Sequence, residues 1–99
     1  MVRRKRERER KVVRRRVKTF DAFHESRSVL DPSPETVAAF ELLLRRVLNK
    51  PESEPPIPGS RIRVMRTITR GAFPALRIFY AIDDTTISLL HVERYDELA

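Results

Sequence analysis

The chain of 99 residues contains no cysteine, and it has only two glycines and two histidines. Without cysteine it can form neither a disulfide framework nor a thiolate metal site. Two glycines and two separate histidines also leave no glycine-rich phosphate loop and no histidine-based metal site. The sequence therefore predicts a protein that uses no metal and no cofactor, and the lack of cysteine fits a reducing, cytoplasmic compartment.

Long apolar runs are also lacking. No stretch approaches the roughly 18 apolar residues that a membrane-spanning helix needs, so no membrane partner is expected. The basic N-terminus is not followed by an apolar segment, which argues against a signal peptide. A chain of this length predicts one small domain with one modest core.

Positive charge is present in excess, and it is unevenly distributed. The formal net charge is +7; residues 1–18 carry eleven basic and two acidic side chains, a net of +9, which leaves −2 for residues 19–99. The segment MVRRKRERERK at residues 1–11 is too polar to bury itself. We expect residues 1–11 to form a disordered or helical arm and residues 12–99 to form the folded domain. The arm suits nucleic-acid binding, an address signal or a solubilising tail.

A second basic region lies inside the domain. Residues 61–82 contain five arginines and no acidic residue, namely Arg61, Arg63, Arg66, Arg70 and Arg77. Such a region attracts phosphate groups, and it therefore predicts contact with nucleic acid or with an acidic partner. The alternative is a solvated strand face that is balanced by acids elsewhere.

The first half of the domain predicts one strand and two helices. Alternation over residues 12–20 favours a strand, and residues 20–30 have the spacing of a short amphipathic helix. Ser33 and Pro34 are typical of a helix start, and Pro51 ends that helix near Asn49. Its apolar stripe is expected in the core and consists of Val37, Phe40, Leu44, Val47 and Leu48, widened by Ala38, Leu42 and Leu43.

The second half predicts three strands after a proline-rich surface connection at residues 50–60. The strands cover about residues 61–69, 75–82 and 86–93, and the first should place Ile62, Val64 and Ile68 on its core face. The predicted order is β-α-α-β-β-β. It indicates an α+β fold with two helices packed on one side of an antiparallel sheet.

These elements resemble a known family. The stretches LRIFYAIDD and ISLLHVERYDEL, preceded by helices containing FDAFHESR and LLLRRVLNKP, are similar to the RelE/ParE superfamily of bacterial type II toxin-antitoxin toxins. The resemblance covers about residues 12–99, and it agrees with a RelE-like β-α-α-β-β-β order.

The resemblance implies a toxin that is neutralised by a cognate antitoxin. The RelE branch, which the basic strands favour, cleaves mRNA on the ribosome without a metal, whereas the ParE branch inhibits DNA gyrase. Matched by position, the RelE-type site residues fall on Arg61, Arg63, Arg77, Arg94 and Tyr95. A gyrase inhibitor and a non-enzymatic nucleic-acid-binding module remain as alternatives.

RNA cleavage without a metal requires both charge stabilisation and proton transfer. Arginines, of which Arg77 is the firmest match, can stabilise a pentacoordinate phosphate, with Arg61, Arg63, Arg66 and Arg70 expected to bind RNA. Tyr95 is the first candidate for proton transfer and His91 the second, although alternation with Ile87 and Leu89 predicts that His91 is buried. Arg77 could instead have a structural role, paired with Asp83 or Glu93.

Overall fold

The computed structural model describes residues 15–96, so the predicted arm at residues 1–11 lies outside the described residues. Within them the chain forms two α-helices, one short 3-10 turn and four strands. In chain order these are β1 (Arg16–Thr19), α1 (Asp21–Ser28), α2 (Pro34–Asn49), the turn Pro51–Ser53, β2 (Ile62–Arg66), β3 (Leu76–Ile82) and β4 (Thr86–Arg94). The predicted α+β class is confirmed.

The predicted limits of α2 are confirmed. Ser33 precedes the helix in an extended conformation, and its side-chain oxygen accepts a hydrogen bond of 3.2 Å from the backbone N–H of Thr36. Pro34 occupies the first turn, where a missing N–H costs nothing. Asn49 is the last helical residue, two positions before Pro51. Ser33 and Pro34 therefore set the start of this helix, and Pro51 sets its end.

The sheet has the strand order β1-β4-β3-β2, and it is mixed rather than antiparallel as predicted. Strands β2, β3 and β4 pair antiparallel, but β1 pairs parallel to β4. The backbone N–H of Arg16 donates to the carbonyl of Thr85 at 2.8 Å, so β1 starts beside the β3–β4 turn. From that starting point β1 can only run in the same direction as β4.

Both helices pack on one face of the sheet, and the core lies between the helices and that face. Neither helix in residues 15–96 is long and apolar enough to cross a membrane. The buried apolar side chains of this core include Phe23, Phe40, Leu43, Val47, Met65, Leu76, Ile78, Tyr80, Ile87, Leu89 and Val92. Each large side chain buried in this way contributes about 1.5–3 kcal/mol to folding.

The predicted core stripe of α2 is confirmed in part. The buried positions of this helix are Thr36, Ala39, Phe40, Leu43 and Val47, and Leu44 packs against the core. Phe40, Leu43, Leu44 and Val47 were predicted there. Val37 and Leu48, which the periodicity placed in the core, are 44% and 38% exposed. Apolar residues cover a wide arc of this helix, so periodicity alone does not define which line along it meets the sheet.

The predicted faces of β2 are also reversed. Met65 is 5% exposed, whereas Ile68, which was expected in the core, is 59% exposed. The register with β3 explains the difference, because Met65 lies opposite the buried Ile78 and Val64 lies opposite Phe79. Alternation marks two faces of a strand, but the partner strand decides which face the helices cover.

The proline-rich connection lies across the domain and is tied to it. The buried Tyr80 hydroxyl donates to the carbonyl of Pro51 at 2.6 Å, and the Arg63 side chain donates to the carbonyl of Glu54 at 2.6 Å. Desolvation by burial raises the pKa of Tyr80 to about 12. This phenol therefore stays protonated and remains a donor across the physiological range.

Candidate functional site

The face of the sheet opposite the helices carries a compact group of polar and aromatic side chains. Arg77 of β3 lies directly opposite Glu93 of β4, and Phe79 lies directly opposite His91. Side chains opposite each other in an antiparallel pair have Cβ atoms about 4.5–5.5 Å apart. Each of these four residues is partly exposed. We call this face the open face.

Glu93 joins the two basic groups of the open face. Its Oε2 accepts a hydrogen bond of 2.6 Å from the Nε of Arg77, and its Oε1 lies 3.0 Å from the Nε2 of His91. An ionised carboxylate only accepts hydrogen bonds, so Nε2 of His91 must carry a hydrogen. In the neutral ring, Nδ1 is then the unprotonated nitrogen and can accept a proton. We refer to these three residues as the Arg77–Glu93–His91 cluster.

The cluster keeps Glu93 ionised. Partial burial raises the pKa of Glu93, but hydrogen bonds and charge from Arg77 and His91 outweigh it and leave that pKa below its ordinary value. A carboxylate that stays charged at neutral pH holds the imidazole in one tautomer and fixes the position of the guanidinium. The cluster is therefore preorganised before any ligand arrives.

A β-bulge explains why His91 is on the open face. The register between β3 and β4 shifts between Phe79 and Tyr80: Tyr80 pairs with Leu89 and Phe79 pairs with His91, which leaves Leu90 without a partner. Beyond this extra residue the alternation of β4 changes phase. The His91 side chain is consequently 44% exposed, in contrast to the burial that its spacing from Ile87 and Leu89 predicted.

Two aromatic rings flank Arg77. Its guanidinium carbon lies 5.1 Å from the centre of the Tyr95 ring and 5.6 Å from that of Phe79. Phe79 also contacts His91, with ring centres 5.7 Å apart. The Tyr95 hydroxyl donates to the carbonyl of Thr67 at 2.7 Å, so in this arrangement its ring supports Arg77 while its hydroxyl holds the end of the sheet together.

Cations border the open face on both sides. On one side, Arg66 of β2 pairs with Arg77. On the other side, Lys18 of β1 pairs with Ser88 of β4. Ser88 in turn pairs with Ala81 of β3. Like charges directly opposite each other are unfavourable in a sheet, so an anion bound between Arg66 and Arg77 would relieve their repulsion. The open face is thus suited to an extended polyanion.

The other predicted arginines lie elsewhere. Arg63 pairs with Tyr80 on the helix side of the sheet, and three strand positions, about 10 Å, separate Tyr80 from Arg77. Arg61 and Arg63 line a small cleft beside the β3–β4 turn. The structure therefore separates these two arginines from the Arg77–Glu93–His91 cluster.

Arg94 and Arg70 do not lie on the open face. Arg94 is exposed and pairs with the buried Leu76, which places it on the helix side of β4, and Arg70 is exposed in the β2–β3 loop. Of the eight predicted site residues, the structure brings together Arg77, His91, Tyr95 and Arg66 on the open face. It does not bring Arg61, Arg63 or Arg70 to that group, whereas Arg94 faces the helix side but lines a cavity of about 510 Å³ together with His91 and Glu93.

Glu93 and Phe79 belong to the open face although neither was predicted as a site residue. Glu93 was considered only as a structural partner of Arg77, together with Asp83. The structure assigns Asp83 to the β3–β4 turn, where it accepts hydrogen bonds of 2.8 Å from the N–H groups of Thr85 and Thr86. The alternation of His91 and Glu93 along one strand was the signal that could have suggested a shared site.

Within residues 15–96 no group of three or more histidine, aspartate or glutamate side chains is arranged to hold a metal ion. The open face presents a guanidinium, an imidazole, a carboxylate and aromatic rings. Comparison of the chain with models of protein families, with curated protein sequences and with solved structures finds no match to any of them.

Proposed function

We propose that the open face binds the phosphate backbone of RNA and cleaves it, and that the protein is a RelE-type toxin that acts on mRNA at the ribosome. The Arg77–Glu93–His91 cluster is the observation that carries the proposal. It places a permanent cation and a proton acceptor on one exposed surface, in fixed relative positions. The sequence resemblance to the RelE/ParE superfamily supports the same reading.

The proposed reaction uses the 2′-hydroxyl of the RNA as nucleophile. Nδ1 of His91 accepts the 2′ proton, the 2′-oxygen bonds to phosphorus, and the bond from phosphorus to the 5′-oxygen breaks. The leaving oxygen takes its proton from water, and the products are a 2′,3′-cyclic phosphate and a 5′-hydroxyl end. Arg77 stabilises the charge that accumulates on the phosphate oxygens, with donors that its bond to Glu93 leaves free.

The roles within this site differ from those expected from the resemblance alone. His91, rather than Tyr95, is the proposed proton acceptor, because the Tyr95 hydroxyl is bonded to the backbone of Thr67. Tyr95 and Phe79 position Arg77 through their rings, and a base of the RNA can stack on Phe79. Glu93 is a positioning residue, since it acts through the two groups that it holds.

The first test is expression in a bacterium without a neutralising partner, followed by mapping of mRNA 5′ ends. Wild type should create new ends within translated codons, and Arg77→Ala should reduce them roughly 100-fold or more, the usual effect of losing one transition-state donor. His91→Gln should have a comparable effect, because general-base catalysis contributes about 100-fold or more. Arg61→Ala is the matched control, because Arg61 is exposed and lines a separate cleft, and it should keep wild-type cleavage.

Thermal unfolding of each purified variant separates a lost site from a lost fold. Cleavage that persists in a folded Arg77→Ala protein would remove Arg77 from the site. Growth arrest without new mRNA ends, accompanied by DNA-damage signalling and by co-purification of gyrase, would instead support a ParE-like gyrase inhibitor. The proposal includes a cognate antitoxin. Co-expression of the gene adjacent to the one that encodes this protein should restore growth.

A second candidate function is nucleic-acid binding without cleavage. It is favoured by the Arg77–Glu93 ion pair and by the bonded Tyr95 hydroxyl, both of which are structurally satisfied without a substrate. Cations on the open face would then bind phosphates, and affinity would fall steeply with salt. Retention of RNA by the wild-type protein, with no cleaved product on ribosomes, would select this function.

A further inference from the structure

The cavity of about 510 Å³ that Arg94 lines lies at the outer edge of β4, next to the open face. β1 covers this edge only as far as Leu89, which pairs with Thr19, the last residue of β1. Beyond that point α1 takes the place of a strand, because the hydroxyl oxygen of Ser26 accepts a hydrogen bond of 3.0 Å from the backbone N–H of Val92. The cavity is the space left between β4, α1 and the connection from α1 to α2.

The floor of this cavity is apolar. Leu76 and Val92, which are both fully buried, lie beneath it, and Val29 and Leu30 line it where α1 ends. Ligand sites in proteins combine such an apolar lining with a few polar groups that fix the orientation of the ligand. The flat face of a nucleic-acid base packs well against a surface of this kind.

Two side chains of opposite charge complete the lining, Asp31 and Arg94. Oδ1 of Asp31 accepts a hydrogen bond of 3.2 Å from the backbone N–H of Ser33, which fixes the carboxylate and leaves it further positions for donors. Arg94 is exposed, and within residues 15–96 its guanidinium forms no ion pair and no hydrogen bond. The cavity therefore offers a fixed acceptor and an unused group of donors.

The cavity also reaches the proposed centre of cleavage, because His91 and Glu93 belong to its lining. In the proposed reaction Nδ1 of His91 accepts the proton of a 2′-hydroxyl. The base of that nucleotide is bonded to C1′, the carbon next to C2′, so it lies closer to His91 than the base of the following nucleotide. The cavity is thus positioned to receive the base on the 5′ side of the cleaved bond.

We propose that this cavity binds guanine, as the base of the nucleotide on the 5′ side of the cleaved bond. The inference rests on the proposed RNA cleavage and names the base that the site selects. N1–H and N2–H₂ of guanine are adjacent donors that match the carboxylate of Asp31. O6 and N7 are adjacent acceptors that match the guanidinium of Arg94. Unpaired RNA bases are recognised through both of these edges.

The other bases satisfy the two charged side chains less completely. Uracil has a single N–H donor, and adenine places its amino group beside N7, where it would oppose the donors of Arg94. Cytosine is the nearest competitor, since its amino group can donate to Asp31 while N3 and O2 accept from Arg94. It lacks the second donor that guanine offers to the carboxylate, so guanine is the base that engages both side chains through two bonds each.

The first experiment measures base selectivity with the full-length protein and RNA that it cannot cleave. The probe is a fluorescein-labelled 2′-fluoro oligouridine that carries one guanine, and its binding is followed by fluorescence polarisation. Strands with adenine, cytosine, uracil, inosine or 7-deazaguanine at that position have the same charge, so binding through the basic segment 1–18 contributes equally to all of them. Guanine should bind about tenfold more tightly than each of the others.

Two substitutions assign the two edges of the base. Inosine lacks the N2 amino group, so Asp31→Asn should abolish the preference for guanine over inosine. 7-Deazaguanine lacks N7, so Arg94→Gln should abolish the preference for guanine over 7-deazaguanine. Glu41→Gln and Arg45→Gln are the matched controls, because both residues are exposed on α2 and neither lines the cavity. Each control should keep the selectivity of wild type.

The second experiment reads the base that precedes each new mRNA 5′ end in the expression test. Wild type should cleave after guanine, and Asp31→Asn should still cleave but after all four bases. Cleavage by wild type without this preference, or equal binding of all the strands, would overturn the assignment of the cavity to guanine. Guanine-selective binding that depends on Asp31, with no cleavage by wild type, would support the guanine site and overturn the proposed RNA cleavage.

Discussion

The two faces of the sheet are built from alternate residues of the same strands, yet different forces fix them. On β3, Leu76, Ile78 and Tyr80 are fully buried under the helices, whereas Arg77 and Phe79 between them are partly exposed. The covered face is held by burial of apolar area, which requires only shape and hydrophobicity. The open face is held by individual polar bonds, which require particular atoms at particular distances.

Because of this difference, the covered face should determine the stability of the protein and the open face its chemistry. Substitutions on the covered face should lower the free energy of unfolding by large amounts, while those on the open face should change function and cost little stability. Changes on both faces can be measured in the same protein by urea unfolding, in which the midpoint and the slope together give the free energy. Two pairs of substitutions and one pH-dependent variant test the contrast between buried and exposed positions, and their expected effects decrease in that order.

The largest effect is expected at Leu43, which is completely buried. Leu43→Ala should lower the free energy of unfolding by about 2–5 kcal/mol, since it removes apolar contacts and leaves a cavity. Its neighbour Leu42 is 43% exposed, and Leu42→Ala should cost less than about 1 kcal/mol. Similar losses for the two variants, measured by urea unfolding, would contradict the helix phase that the structure shows.

A smaller effect is expected when the Tyr80 hydroxyl is removed. Tyr80→Phe leaves the carbonyl of Pro51 without its buried donor, which should cost about 1–3 kcal/mol. Tyr95→Phe removes a similar hydroxyl bond to the carbonyl of Thr67, but at a partly buried site, and should cost about 0.5–1.5 kcal/mol. If Tyr95→Phe were the more destabilising of the two, the contrast between the faces would not hold.

The smallest effect concerns Glu93, and it depends on pH. The folded-state pKa of Glu93 is lower than its ordinary value of 4.5, so the stability that its ionised form contributes is present above that value and is lost as pH falls through the folded pKa. Because the pair is partly exposed, the contribution should be less than about 1 kcal/mol. Glu93→Gln should therefore be less stable than wild type at pH 7, and the difference should shrink as the pH falls below about 4.5.

A second comparison isolates the contribution of the Arg77–Glu93 ion pair. The double variant Arg77→Met with Glu93→Gln removes both partners, so its unfolding should lack this pH-dependent difference from Arg77→Met alone. A difference between those two proteins that still changes with pH over the same range would show that Glu93 interacts mainly with another group, such as His91.

Much of the architecture follows from local sequence signals. Ser33, Pro34 and Pro51 set the ends of α2 through backbone geometry and capping, and these effects act over only a few residues. The strands were located to within a few residues, because alternation along a strand is also a local signal. Which face of β2 is buried, and which line of α2 meets the sheet, depend instead on partners distant in sequence. The prediction for β2 was wrong, and the prediction for α2 was right only in part.

The candidate site was predictable only in part. Arg77 lies on the open face and interacts with Glu93, one of the two carboxylates considered for it. The position of His91 could not be obtained from alternation, because the extra residue Leu90 has no distinguishing side chain and changes the phase only through pairing with β3. A bulge is a property of two strands together, so one strand's sequence does not reveal it.

The parallel pairing of β1 has a consequence for the order of folding. Arg16 pairs with Thr86, which is seventy residues later in the chain, and each further pair of β1 with β4 has the same separation. During synthesis β1 leaves the ribosome before β4 and has no partner in the sheet until β4 has emerged. Completion of the sheet is thus delayed until β4 is available, and the closing of this long loop is expected to be the slow step of folding.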